Sequence, residues 1–188
     1  MRELTPKKIV LASMFIALGL VLPFLTGQVP VIGRQLLPMH LPVLIGGFVL
    51  GGSVGALVGF VTPILRSFIF GMPPFFPTAV AMAFELATYG YLTGAFHGIF
   101  PRKRAFIYVN LILSMIGGRL VWGMVSFVLF GITKTAFNWD IFLASAFGAA
   151  IPGIILQLIL VPLIVISLPG CGYAQRQRAE RNIGGWFK

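Results

Sequence analysis

Charged side chains are scarce in this sequence and acidic ones scarcest: its 188 residues hold four Asp and Glu against fourteen Lys and Arg, 10% charged in all. Soluble domains carry about a quarter of their residues as charges, so an ordinary water-exposed surface is excluded. Cysteine is limited to Cys171, which rules out an internal disulfide. It lies in a glycine-rich exit from the last apolar run and carries no redox signal. With that one cysteine and two histidines, His40 and His97, the chain lacks the ligands for a zinc site of its own. Neither H-E-x-x-H nor G-x-x-x-x-G-K-[ST] occurs, which removes the metalloprotease and P-loop readings.

What the sequence has in quantity is apolar length. Hydrophobic residues make up 58% of the chain and mean hydropathy is +0.99, the composition of an integral membrane protein. A helix crosses the hydrocarbon core with about 20 residues. Runs of that order fall at about 7–25, 40–51, 53–70, 78–97, 106–130 and 141–168. The expected fold is an all-α integral membrane protein, with residues 1–188 forming one transmembrane domain of six helices in a compact bundle. Thr5-Pro6 supplies a start for the first helix, and Pro169-Gly170 stops the last. Lys7 and Lys8 precede the first run as in a signal peptide, but no small-x-small cleavage site follows, so a retained span is expected. No convincing repeat relates the two halves.

The basic excess has a topological explanation. With six spans both termini share a side, and that side holds Arg2, Lys7, Lys8, Arg102, Lys103, Arg104, Arg176, Arg178, Arg181 and Lys188. The opposite side and the spans hold Arg34, Arg66, Arg119 and Lys134. Positive residues collect in cytoplasmic loops, so both termini are expected in the cytoplasm of a multi-pass protein of the cell membrane. Nucleic acid is not needed to account for the charge. The loops at 26–39, 71–77 and 131–140 then lie outside. The first is broken by Gly27, Pro30, Gly33 and Pro38. The second is stiffened by three prolines and carries Met72, Phe75 and Phe76.

Two ions interrupt the apolar runs near their middles, Glu85 in the fourth and Arg119 in the fifth. A charge at bilayer depth costs a few kcal/mol, so it faces a protein interior or a wet cavity. Met82, Glu85 and Tyr89 recur at helical spacing on one face, as do Met115, Arg119, Trp122 and Ser126. Glu85 and Arg119 either pair with each other as a structural unit or line a cavity that opens outward and binds the polar ends of a small solute. In the second case Trp122, Tyr89, Phe75 and Phe76 are walls for its flat or apolar part. Arg66 either snorkels to the surface or points into the pocket. Asn110 reads as an interhelical hydrogen bond, His97 as solvated beside a basic run, and His40 as interfacial at the outer start of the second span. A solute-binding membrane protein is the best physical reading.

Several stretches resemble a known family. They are Ser13-x-x-x-Ala17, the run His40-Leu41-Pro42-Val43-Leu44-Ile45-Gly46-Gly47-Phe48-Val49-Leu50-Gly51, and Phe70-Gly71-Met72-Pro73-Pro74 with Ala81-Met82-Ala83-Phe84-Glu85. Together with the small six-span size they are similar to the substrate-binding S component of energy-coupling factor (ECF) transporters. The resemblance implies a bundle that captures a vitamin or related micronutrient outside the cell, with no cofactor of its own. It also implies a separate transmembrane T component and two cytoplasmic ATPase subunits that supply the energy. Ser13 and Ala17, where the family typically has Ala-x-x-x-Ala, would then form the docking face for the T component. The substrate contacts expected on this reading are Glu85, Arg119, Trp122, Tyr89, Met82 and Phe76, with Arg34, Arg66, Asn138 and Gln157 as further candidates. A ring compound with donors and acceptors fits, such as a pyridoxine-like or pyrimidine-like molecule, riboflavin, folate or pantothenate. Two rivals stand beside it: a self-sufficient secondary transporter coupled to protons through Glu85, and an intramembrane enzyme using Glu85 and His40 as acid and base.

Overall fold

The computed structural model describes residues 5–26, 36–101, 103–132 and 151–168. Arg34, Asn138, Cys171, the basic tail and the first ten residues of the sixth apolar run lie outside the described residues. The described chain forms six α-helices and no strand: α1 (Pro6–Val21), α2 (His40–Leu50), α3 (Gly52–Phe70), α4 (Val80–Ile99), α5 (Arg104–Ile132) and α6 (Ile151–Ser167).

Local chemistry sets the ends. Proline opens α1, with Thr5 extended before it, and at Pro23 the helix tightens into a 3₁₀ turn over Leu22–Thr26. Gly51, at φ +90°, turns the chain from α2 straight into α3, and Gly71 closes α3 in the left-handed conformation at φ +69°. Between Gly71 and α4 the prolines allow only a single wide turn, Phe75–Ala79, within which Phe76 is extended. Both α3 and α6 run through an internal proline, Pro63 and Pro162, each buried against neighbouring helices.

Among the described residues, three helical stretches are long and apolar enough to cross a membrane: Pro6–Leu25, Gly52–Phe70 and Arg104–Leu129. The helix α2 is apolar but shorter, as is the described part of α6. The fourth, α4, has the length, but Glu85, Thr88, Tyr89, Tyr91, Thr93 and His97 lower its hydropathy. Three of these, Glu85, Tyr89 and Thr93, are turned inward and buried.

The core is organised around α2, which packs on α1, α3, α4 and α6. A helix that is apolar on every side belongs in an interior, and all of α2 except Val49 is buried. Around Val43, Leu44 and Phe48 gather Phe15 of α1, Val58 of α3, Leu86 and Tyr89 of α4, Ile107, Leu111 and Met115 of α5, and Val161 and Val165 of α6. The outward faces are apolar too. Along α5, Ile112, Ile116, Leu120, Met124 and Phe127 are exposed while Ile107, Leu111 and Ser114 point in. Such a surface is stable against lipid rather than water.

The helices α3 and α4 approach closely, and glycine permits it. A Cβ on Gly55 would stand 2.6 Å from the Gly90 carbonyl oxygen, so nothing larger than hydrogen fits there. Small residues at such a crossing let dispersion and Cα–H contacts hold helices together where no hydrophobic force acts between them.

Candidate functional site

Glu85 lies one and a half turns into α4. Its Oε1 atom accepts a hydrogen bond from the hydroxyl of Tyr89, one turn further on, at 2.9 Å. From the middle of α5, Nη1 of Arg119 reaches the same oxygen at 3.0 Å. From the first residue of α2, Nε2 of His40 stands 3.7 Å away, beyond hydrogen-bond length. The His40 and Tyr89 rings lie 5.4 Å apart and inclined at 56°. Gly118, next to Arg119, makes room for this arrangement, since a Cβ there would strike the Tyr89 ring. All four polar side chains are buried, Glu85 to 2% exposure.

Three helices thus bring one carboxylate, one guanidinium, one phenol and one imidazole to a point. The two ions compensate each other, and the phenol adds a charge-assisted bond. The imidazole is different. Both His40 ring nitrogens, and Nε2 of Gln157 on α6, are buried with no hydrogen-bond partner among the described residues. Buried polar groups nearly always have one.

Of the residues expected to form a site, Glu85, Tyr89 and Arg119 come together. Trp122 and Met82 flank them, half-buried, on the same faces of α5 and α4. Phe76 is exposed in the turn before α4. Gln157 is buried on α6, which packs against α2 and α5.

Arg66 is elsewhere. Its Nη1 donates to the Leu20 carbonyl at 2.6 Å, and its guanidinium lies 5.4 Å from the ring centres of both Phe24 and Phe70. It ties the end of α1 to the end of α3. Asn110 bridges helices, with Nδ2 donating to the Thr93 carbonyl at 2.9 Å and Oδ1 accepting from Ser114. His97 packs edge-on against Phe48 at 5.4 Å. Ser13 and Ala17 are exposed on the face of α1 turned away from α2 and α3.

The residue that sequence reasoning misplaced is His40. Read as interfacial, it is in fact 1% exposed, because the helix it opens is covered by four others. A lone histidine beside prolines gives no local sign of that. Gly51-Gly52-Ser53-Val54-Gly55 fits G-x-S-x-G, but it lies at a helix–helix turn with Ser53 exposed, and a nucleophile elbow needs a strand leading into a helix. No group of three or more potential metal ligands occurs among the described residues.

Apolar outer faces, three helices fit to cross a bilayer and ions gathered in the interior define a helical membrane protein. Residues 7–165 match the model of the family described as ECF transporter, substrate-specific component, and the chain belongs to that family. Comparison with curated proteins and with solved structures finds no match.

Proposed function

We propose that this chain captures a vitamin or related micronutrient at the outer face of the cell membrane for ATP-driven uptake. Membership in the substrate-specific component family makes it the binding subunit. A T component and two ATPase subunits would complete the transporter and hydrolyse the ATP. The observation that carries the reading is the buried cluster of Glu85, Tyr89 and Arg119 beside His40. It is a set of polar groups inside an apolar bundle, and small-molecule sites are mostly apolar with a few placed polar groups. Six spans, with the amino and carboxyl termini in the cytoplasm, put α2, α4 and α6 in one direction. His40 and Glu85 then fall in the outer halves of their helices, within reach of a solute arriving from outside. The charge asymmetry of the sequence supports the same orientation.

The test is mass spectrometry of small molecules released when the purified protein is denatured, together with thermal unfolding in detergent against a panel of water-soluble vitamins. One stoichiometric compound that also raises the melting temperature is the expected result. Absence of any bound compound, combined with proton-driven uptake by this chain alone in liposomes, would overturn it.

A further inference from the structure

The cluster holds two kinds of polar group, and they differ in what they have left to offer. Glu85 and Arg119 are 3.0 Å apart and Tyr89 completes the carboxylate oxygen they share. An ion pair already closed in a low-dielectric interior resists being opened, because separating it strands two buried charges. The unmet hydrogen-bonding capacity lies outside the pair. It belongs to both nitrogens of His40 and to Nε2 of Gln157, each residue 1% exposed. A neutral imidazole offers one donor and one acceptor on opposite sides of the ring, and a glutamine amide nitrogen offers donors.

His40 opens the central helix, and α2 packs directly against both α4, which carries Glu85 and Tyr89, and α6, which carries Gln157. Glu85 is the sixth residue of α4, about one and a half turns in from its start, and Gln157 is buried on α6. Packing alone does not explain the two orphaned side chains. An apolar residue of similar shape would fill either place without leaving a polar group unpaired, and such groups are costly to retain.

We propose that His40 and Gln157 contact the substrate, and that they recognise a neutral edge on which a hydrogen-bond donor and an acceptor stand side by side. A lactam, cyclic urea, imide or hydroxylated nitrogen heterocycle has such an edge. On this assignment the Glu85–Arg119 pair stays closed and orients Tyr89, while specificity lies with the neutral groups. Since His40 is covered in the structure, binding includes displacement of what lies over it. The assignment rests on the capture reading above and makes a narrower claim.

Its test uses riboflavin, folate, biotin, pyridoxine and nicotinamide, each beside a counterpart N- or O-methylated at that edge, with thiamine as a cation. Binding is followed by calorimetry and thermal unfolding on the wild type and on His40→Phe, Gln157→Leu and His40→Gln. Whichever compound the wild type binds is expected to weaken by ~10-fold or more on methylation, and by ~10-fold or more in His40→Phe and in Gln157→Leu. His40→Gln, which keeps a donor and an acceptor, should recover part of the loss. Unliganded His40→Phe and Gln157→Leu should melt no lower than the wild type, since each removes an unpaired polar group.

Equal affinity of the wild type for a compound and its methylated counterpart overturns the assignment even if a variant fails to fold. So does tight binding of thiamine that both variants leave unchanged. A wild type that binds nothing in the panel and carries nothing on purification overturns this assignment, and if the chain alone also shows proton-driven uptake in liposomes, the capture reading falls with it.

Discussion

Glu85 and Arg119 are each costly alone and tolerable together. Their separation is 3.0 Å, and removing one member of a buried pair leaves a charge without compensation, at about 3–5 kcal/mol. Glu85→Gln and Arg119→Gln are therefore each expected to lower unfolding stability in detergent by about that amount. The double substitution should lose much less than the sum. A double-mutant cycle measures this coupling, and strictly additive losses would show that the pair is not a unit. The two ions could be picked out in the sequence because each breaks an apolar run, and a charge there must have an inward face. That they meet could not, since it depends on how α4 and α5 are rotated about their axes. His40 was still less legible. Its burial depends on residues far from it in the chain, Glu85 and Tyr89 of α4 among them.

At the scale of elements, the helical class was readable because apolar runs of bilayer length leave little alternative: every backbone group must be satisfied within its own segment. The wide turn at Phe75–Ala79 was not, because it follows from how three prolines and an extended Phe76 compress the approach to α4. The tight α3–α4 crossing was partly foreseeable from Gly55 and Gly59, four residues apart. Its depth is a tertiary fact. A Cβ at Gly59 would strike the Leu86 carbonyl and stand 2.7 Å from the Ala87 nitrogen, both main-chain atoms that cannot swing aside. Gly59→Ala is thus expected to push the helices apart and destabilise by about 1–3 kcal/mol. Gly98→Ala, on α4 with nothing within 4 Å of the added carbon, should be neutral or slightly stabilising. Comparing their melting temperatures separates close packing from helix propensity, and equal shifts would count against the crossing. Arg66 works at the same scale. Lysine cannot reproduce a planar group that lies beside Phe24 and Phe70 while donating to Leu20, so Arg66→Lys should cost about 1–2 kcal/mol.

For the whole molecule the informative helix is α1, which has two opposed faces. Ala12, Phe15 and Gly19 face inward, where a Cβ on Gly19 would stand 2.6 Å from the Thr62 methyl group. Ser13 and Ala17 face outward, with Met14, Leu18 and Val21 exposed around them. The Ser13 hydroxyl is turned back onto its own helix, donating to the Ile9 carbonyl at 3.0 Å. To any approaching helix this face therefore offers small, apolar bulk, the kind of surface on which two membrane helices come close. If it receives the T component, enlarging it should break the complex without disturbing the interior. Ala17→Trp is expected to keep the wild-type melting temperature and affinity for substrate, because the added ring projects away from α2 and α3. The same protein, reconstituted in liposomes with the T component and ATPases, should lose at least about 1.4 kcal/mol of association free energy. That is tenfold in affinity, and ATP-driven uptake should fall with it. Loss of substrate binding in Ala17→Trp would mean that the face is part of the fold. Unchanged uptake would place the docking surface on another helix.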